Sequence, residues 1–118
     1  MNPITIFTGD QNTGKTATAK RISKEKETLW INSWNRDSFY DLSDKTELII
    51  VDETDFYHDL KMIKSLIEND TIKYRKPYTD KLIEFQRPEI IICTNLKKEE
   101  IPVDILKRVT LREFFNHS

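Results

Sequence analysis

Two short stretches of this 118-residue chain carry residue types that can do chemistry on phosphate. The first is Gly9-Asp10-Gln11-Asn12-Thr13-Gly14-Lys15-Thr16, which reads G-x-x-x-x-G-K-[ST]. Its glycines let the backbone turn tightly, so successive N–H groups can point at phosphate oxygens. Lys15 can reach β- and γ-phosphates, and the Thr16 hydroxyl can sit on a magnesium ion. The chain has only two glycines, and both fall in this loop. That concentration favours a phosphate cradle over an ordinary Gly-containing turn. The expected bound groups are ATP and Mg2+.

The second stretch is Asp52-Glu53, two adjacent carboxylates that follow the apolar run Leu48-Ile49-Ile50-Val51. An Asp at such a strand end can hold magnesium, and a Glu beside it can orient or deprotonate an attacking water. A plain structural reading is two exposed acids ending a strand. A phosphate loop upstream tips the choice toward catalysis. Asn95, at the end of Ile90-Ile91-Ile92-Cys93-Thr94, can donate a hydrogen bond to a γ-phosphate or to that water. It can equally be a turn residue closing a strand.

These groups need elements that aim them. Ile4 to Thr8 is an apolar, β-branched run that predicts a buried strand entering the loop. Residues 17–27 predict a helix leaving it. Thr28 to Asn32 predicts a second short strand, and residues 37–42 a short helix. The continuous run before Asp52 predicts a strand covered on both faces. Leu60, Ile63, Leu66 and Ile67 fall at helical spacing within a helix expected over 55–69. Residues 88–95 predict a third buried strand, 102–108 a short helix and 109–115 a last strand. The fold class expected is α/β: a P-loop NTPase with a mostly parallel sheet flanked by helices and an inserted β-hairpin.

The hairpin is expected from residues 71–78 and 81–85. Its first arm interleaves Lys73, Tyr74, Arg75 and Lys76, basic groups with an aromatic, which suits a nucleic-acid backbone with stacked bases. A solvated edge protected by its lysines is the competing reading.

Composition sets the bounds. The length predicts one domain. A net charge of −1 announces no global attraction to nucleic acid, so any such contact has to be a local patch. The single cysteine, Cys93, lies in an apolar run and argues against a disulfide scaffold. No run is long enough to span a membrane and no signal peptide is visible. A cytosolic location is expected.

Taken in order, these landmarks resemble the superfamily 3 helicases of small viruses and mobile elements, within the AAA+-like ATPases. Gly9 to Thr16 and Ile50-Val51-Asp52-Glu53 resemble that family's first two motifs, which many ATPases share. Residues 67–78 look like its third motif, a hairpin that projects into a hexamer channel. Ile90 to Asn95 looks like its sensor strand, and residues 105–111 resemble the segment that carries an arginine finger. The resemblance implies Arg108 as that finger, with Lys107-Arg108 where the family has paired arginines. It further implies a ring-forming homo-oligomer, a hexamer in the family's manner, that hydrolyses ATP to translocate on or unwind single-stranded or forked DNA. It also implies a virus, phage or mobile element as the source. Family members carry an origin-binding or nuclease domain before the core, whereas this chain enters the first strand at once. It is expected to be a minimal core or an excised domain. The alternatives are a small P-loop kinase or phosphotransferase, and a nucleotide-gated interaction module without turnover.

Overall fold

Parallel strands make the body of the molecule. A computed structural model describes residues 2–32, 34–35, 38–52, 56–75, 79 and 81–115. In chain order the elements are β1 (Ile4–Thr8), α1 (Lys15–Ser23), β2 (Thr28–Asn32), β3 (Leu48–Asp52), α2 (Leu60–Glu68), β4 (Thr71–Arg75), β5 (Leu82–Gln86), β6 (Glu89–Thr94), α3 (Val103–Leu106) and β7 (Thr110–Glu113). Five strands form one sheet in the order β2-β3-β6-β1-β7. Every neighbouring pair in it is parallel. β4 and β5 form a separate antiparallel hairpin. The fold is mixed α/β.

The alternating side chains of three strands explain how the sheet is covered on both faces. Phe7, Leu48, Ile50, Ile91 and Cys93 pack with Ala19 of α1 on one face. Ile4, Ile6, Ile49, Val51, Ile90 and Ile92 face the other way, onto Ile63, Leu66 and Ile67 of α2 and Ile105 of α3. Each fully buried apolar side chain here contributes about 1.5–3 kcal/mol. The middle of the sheet is therefore the rigid frame on which the strand ends are held.

Several expected boundaries shift, for local reasons. α1 stops at Ser23, whose hydroxyl bonds the Lys20 carbonyl at 2.7 Å, and the following Lys24 to Glu27 are exposed and non-helical. α2 starts at Leu60, later than the helix expected from residue 55. Phe56 is turned into the core and the Tyr57 hydroxyl bonds the Glu100 carbonyl at 2.9 Å, which hold 56–59 as a turn. Residues 38–41 are turn, where a short helix was expected, and Asp37 lies outside the described residues.

Arg87 joins the base of the hairpin to the sheet. It is only 4% exposed. Its guanidinium donates to the Leu66 carbonyl at 2.6 Å, to the Ile67 carbonyl at 3.5 Å and to the Asn2 carbonyl. Its own N–H donates to the Asp70 carbonyl at 2.8 Å. α2 has no basic residue in its last turn, so Arg87 supplies the cation that a helix C-terminus favours. Burial lowers the Arg87 pKa, opposed by Asp70. Its Nε has no hydrogen-bond partner among the described residues, which costs part of the gain. The charged bonds outweigh that cost, because each is worth about 1.5–3 kcal/mol. Arg87→Met is expected to lower unfolding stability by about 3 kcal/mol in urea titrations. A change below about 0.5 kcal/mol would show that the clamp is not structural.

Candidate functional site

The C-terminal ends of β1, β3 and β6 lie side by side, and the chemically competent residues sit there. The loop after β1 needs three positive φ angles: Gly9 at 141°, Asn12 at 63° and Gly14 at 95°. Only glycine adopts the first cheaply, and a Cβ on Gly9 would also overlap the Phe114 carbonyl oxygen. Asn is among the few other residues that tolerate the left-handed region. Gly14 caps α1 with its backbone in that region and no side chain caps the helix. Among the described residues no side chain caps the first turn of α1, and no acidic residue occupies that turn.

Lys15 is drawn back into the loop. Its Nζ donates to the carbonyls of Gly9 and, at 2.7 Å, of Asp10, and lies 3.5 Å from the Thr13 hydroxyl. Thr13 in turn donates to the Asp10 carbonyl at 2.8 Å. Burial lowers the Lys15 pKa, with Cys93, Asp10 and Asp52 acting in the opposite sense. At neutral pH only the two carboxylates provide that opposition. Burial, and then Asp52, push the Cys93 thiol up to about 12, so it stays protonated. Cys93 is thus a neutral floor beneath a desolvated cation.

Thr16 faces Asp52 across the cleft, its hydroxyl 3.4 and 3.3 Å from the two carboxylate oxygens. Gln11 to Ala17, Asp52, Cys93 and Asn95 line a cleft of about 970 Å³. That volume is at the upper end of what small-molecule sites use. Asn95 reaches it because β6 is inserted between β1 and β3, a placement the linear sequence does not show. The structure thus gathers Gln11, Asn12, Thr13, Gly14, Lys15, Thr16, Asp52 and Asn95 around one space. Gly9 and Asp10 stand behind it and hold Lys15 with their carbonyls. Glu53 lies outside the described residues.

Thr16 and Asp52 are the residues that could hold a magnesium ion here. They are hard oxygen donors at one place, and Mg2+ keeps most of its waters and takes one or two protein ligands. Among the described residues no cluster of three or more His, Cys, Asp or Glu forms a closed metal cage.

The other candidates lie elsewhere. The hairpin leaves the sheet near the start of β1, where Ile90 N–H bonds the Pro3 carbonyl, so it is at the end opposite the loop. Lys73 and Arg75 are exposed on its outer face, with Glu84 opposite Lys73 in register. Tyr74 corrects an expectation: it is 7% exposed and packs inward beside Ile72, so it cannot present its ring to stacked bases. Lys76 lies outside the described residues. Arg108 is exposed between α3 and β7, also at the end of the sheet opposite the loop. It lines a small groove with Lys64, Glu68 and Asp104.

No helix among the described residues is long and apolar enough to cross a membrane. Among curated proteins no relative matches this chain. Among solved structures, the A form apo structure of the NrS-1 C-terminal region aligns with a TM-score of 0.62 and 18% identity, over 95% of this chain and 28% of that one. A second A form apo structure of that region gives 0.60 and 19%, over 97% of this chain and 28% of that one. Similarity at that identity speaks for the fold alone, and the chain corresponds to little more than a quarter of those proteins' resolved length. A family model matches residues 7–109, and the chain accordingly belongs to DUF5906, a family of unknown function.

Proposed function

We propose that this chain is a P-loop nucleoside-triphosphatase that binds Mg-ATP at the end of its parallel sheet and couples hydrolysis to nucleic acid. One observation carries the reading most: the Thr16 hydroxyl and the Asp52 carboxylate meet at 3.3 Å beside an uncapped helix start and a desolvated lysine. An anion there gains from the helix dipole, from open N–H groups and from Lys15. Magnesium held by Thr16 and Asp52 would neutralise charge on the β- and γ-oxygens. Gln11 to Gly14 would wrap the phosphates with backbone, and Asn95 would contact the terminal phosphate or its attacking water. Glu53, next to Asp52 in sequence, is assigned the role of general base.

The nucleic-acid part rests on the outer face of the hairpin, where Lys73 and Arg75 are exposed. Their charge suits phosphates, and with Tyr74 turned inward the contact is electrostatic. It is the resemblance to superfamily 3 helicases that suggests DNA and a ring. A phosphotransferase reading gains no specific observation.

A phosphate-release assay with and without single-stranded DNA tests the proposal. Wild-type protein is expected to release phosphate with Mg-ATP and to speed up with DNA at low salt. Glu53→Gln is expected to bind Mg-ATP and turn over at least about 100-fold more slowly. Near-normal turnover in that variant would place the base elsewhere. No release by wild type at any protein concentration, with or without DNA, would remove the ATPase assignment.

A further inference from the structure

The last described segment of the chain touches the phosphate loop at its root. Phe114 N–H donates to the carbonyl of Thr8, the final residue of β1, at 2.8 Å. The Phe114 carbonyl oxygen lies so close to Gly9 that any Cβ there would overlap it. The Phe114 ring packs on Phe7 with centroids 5.0 Å apart at 52°. Arg112 lays its guanidinium over both rings, 5.6 Å from that of Phe7 and 5.0 Å from that of Phe114. Among the described residues β7 is the edge strand beside β1, and the family model ends at residue 109, before this strand.

We propose that Arg112 and Phe114 are positioning residues for the phosphate loop, acting through the backbone at Thr8 and Gly9. The inference rests on the nucleotide-binding reading and adds residues that the loop motif does not contain. Gly9 opens the loop with φ 141°, a conformation with no side chain to hold it. Something outside the loop has to restrain it. The Phe114 backbone does so from both sides of the Thr8–Gly9 junction, with a donor on one residue and a steric wall on the next. The ring of Phe114 anchors that backbone on Phe7, which is 2% exposed and packed in the core. Arg112 closes the stack from solvent, with the cation–π contact strongest where the ring faces are shielded. A loop held this way presents its N–H groups already aimed, and loses less entropy when an anion arrives. Neither side chain touches the cleft, so their effect on nucleotide is indirect.

The test uses the whole chain with Arg112→Ala, Phe114→Ala and the conservative pair Arg112→Lys and Phe114→Tyr. Two quantities are read: amide hydrogen exchange over residues 10–15 without nucleotide, and affinity for a fluorescent ATP analogue. In each alanine variant loop exchange is expected to rise, and in Phe114→Ala affinity is expected to fall about tenfold, the scale of one lost aromatic contact. Exchange in β3 should stay as in wild type, and the conservative variants should keep most of the affinity. Unchanged loop exchange in the folded alanine variants would overturn the proposal. So would exchange that rises equally in β3, because that is general destabilisation. A wild-type chain that binds no nucleotide would end the nucleotide reading instead, and the exchange arm would still decide whether the segment holds the loop.

Discussion

Lys15→Ala is expected to fold normally and lose nucleotide binding by at least about 100-fold. The estimate follows from the bonds that the ammonium would make to two phosphate groups, since hydrogen bonds to charged groups contribute about 1.5–3 kcal/mol each. In the free protein those bonds go to the Gly9 and Asp10 carbonyls instead. These carbonyls belong to a loop beside an open cleft, where water can replace the lysine. Lys15 itself is 7% exposed, and burial lowers its pKa. The charge is therefore carried at a cost in the free protein, and the substitution should not lower the melting temperature. The pH dependence has a definite sign. A base with a lowered pKa in the folded state holds its proton less tightly than the unfolded chain does. Stability then rises with pH through the interval between the lowered value and the ordinary 10.5, and that rise should disappear in Lys15→Ala. Unchanged ATP affinity in a titration of the variant would remove Lys15 from the phosphate site.

The parts of this site that were legible in the sequence are the ones set by local backbone chemistry. Glycines at 9 and 14 are required by positive φ, so the loop could be read from a pattern of residue types. β3 and β6 are covered on both faces, and a continuous apolar run announces that state directly. Strand order is different, because nothing in a linear run says which strand will lie beside it. The insertion of β6 between β1 and β3 decides that Asn95 shares a cleft with Asp52 and Lys15. The inward face of Tyr74 was within reach: it sits two residues after Ile72 on a strand, and period-two alternation puts both on one side. Arg87 and Phe114 act through backbone atoms of residues distant in sequence, and no residue pattern marks such a role. The late start of α2 likewise depends on a bond from Tyr57 to Glu100, 43 positions away.

Arg108→Ala is expected to bind ATP normally and to hydrolyse it about 10³-fold more slowly, because an arginine that neutralises a transferring phosphoryl group is worth that much or more. Such a role would take two chains. β7 pairs in parallel with β1, Thr110 opposite Thr5, so Arg108 lies at the end where β1 begins and the loop at the end where it finishes. Strands advance about 3.3 Å per residue, which separates Arg108 from its own loop by roughly 15 Å or more. Service to its own cleft is excluded on distance. Arg108 is exposed beside the Lys64–Asp104 ion pair of 3.5 Å, on a face where a neighbouring subunit could bring its cleft. A purely local role, as a cation near the end of α3, predicts a small stability loss and no kinetic effect, since α3 has only four residues. The two roles separate by mixing. If the arginine acts on a neighbour, wild-type turnover per subunit rises with protein concentration as oligomers form. Arg108→Ala stays slow at every concentration, and adding the Lys15→Ala chain restores part of the activity. In the mixed assembly an Arg108→Ala subunit keeps its intact loop and meets a Lys15→Ala neighbour with its arginine in place. Concentration-independent turnover with no gain on mixing would confine Arg108 to its own helix and remove the functional ring.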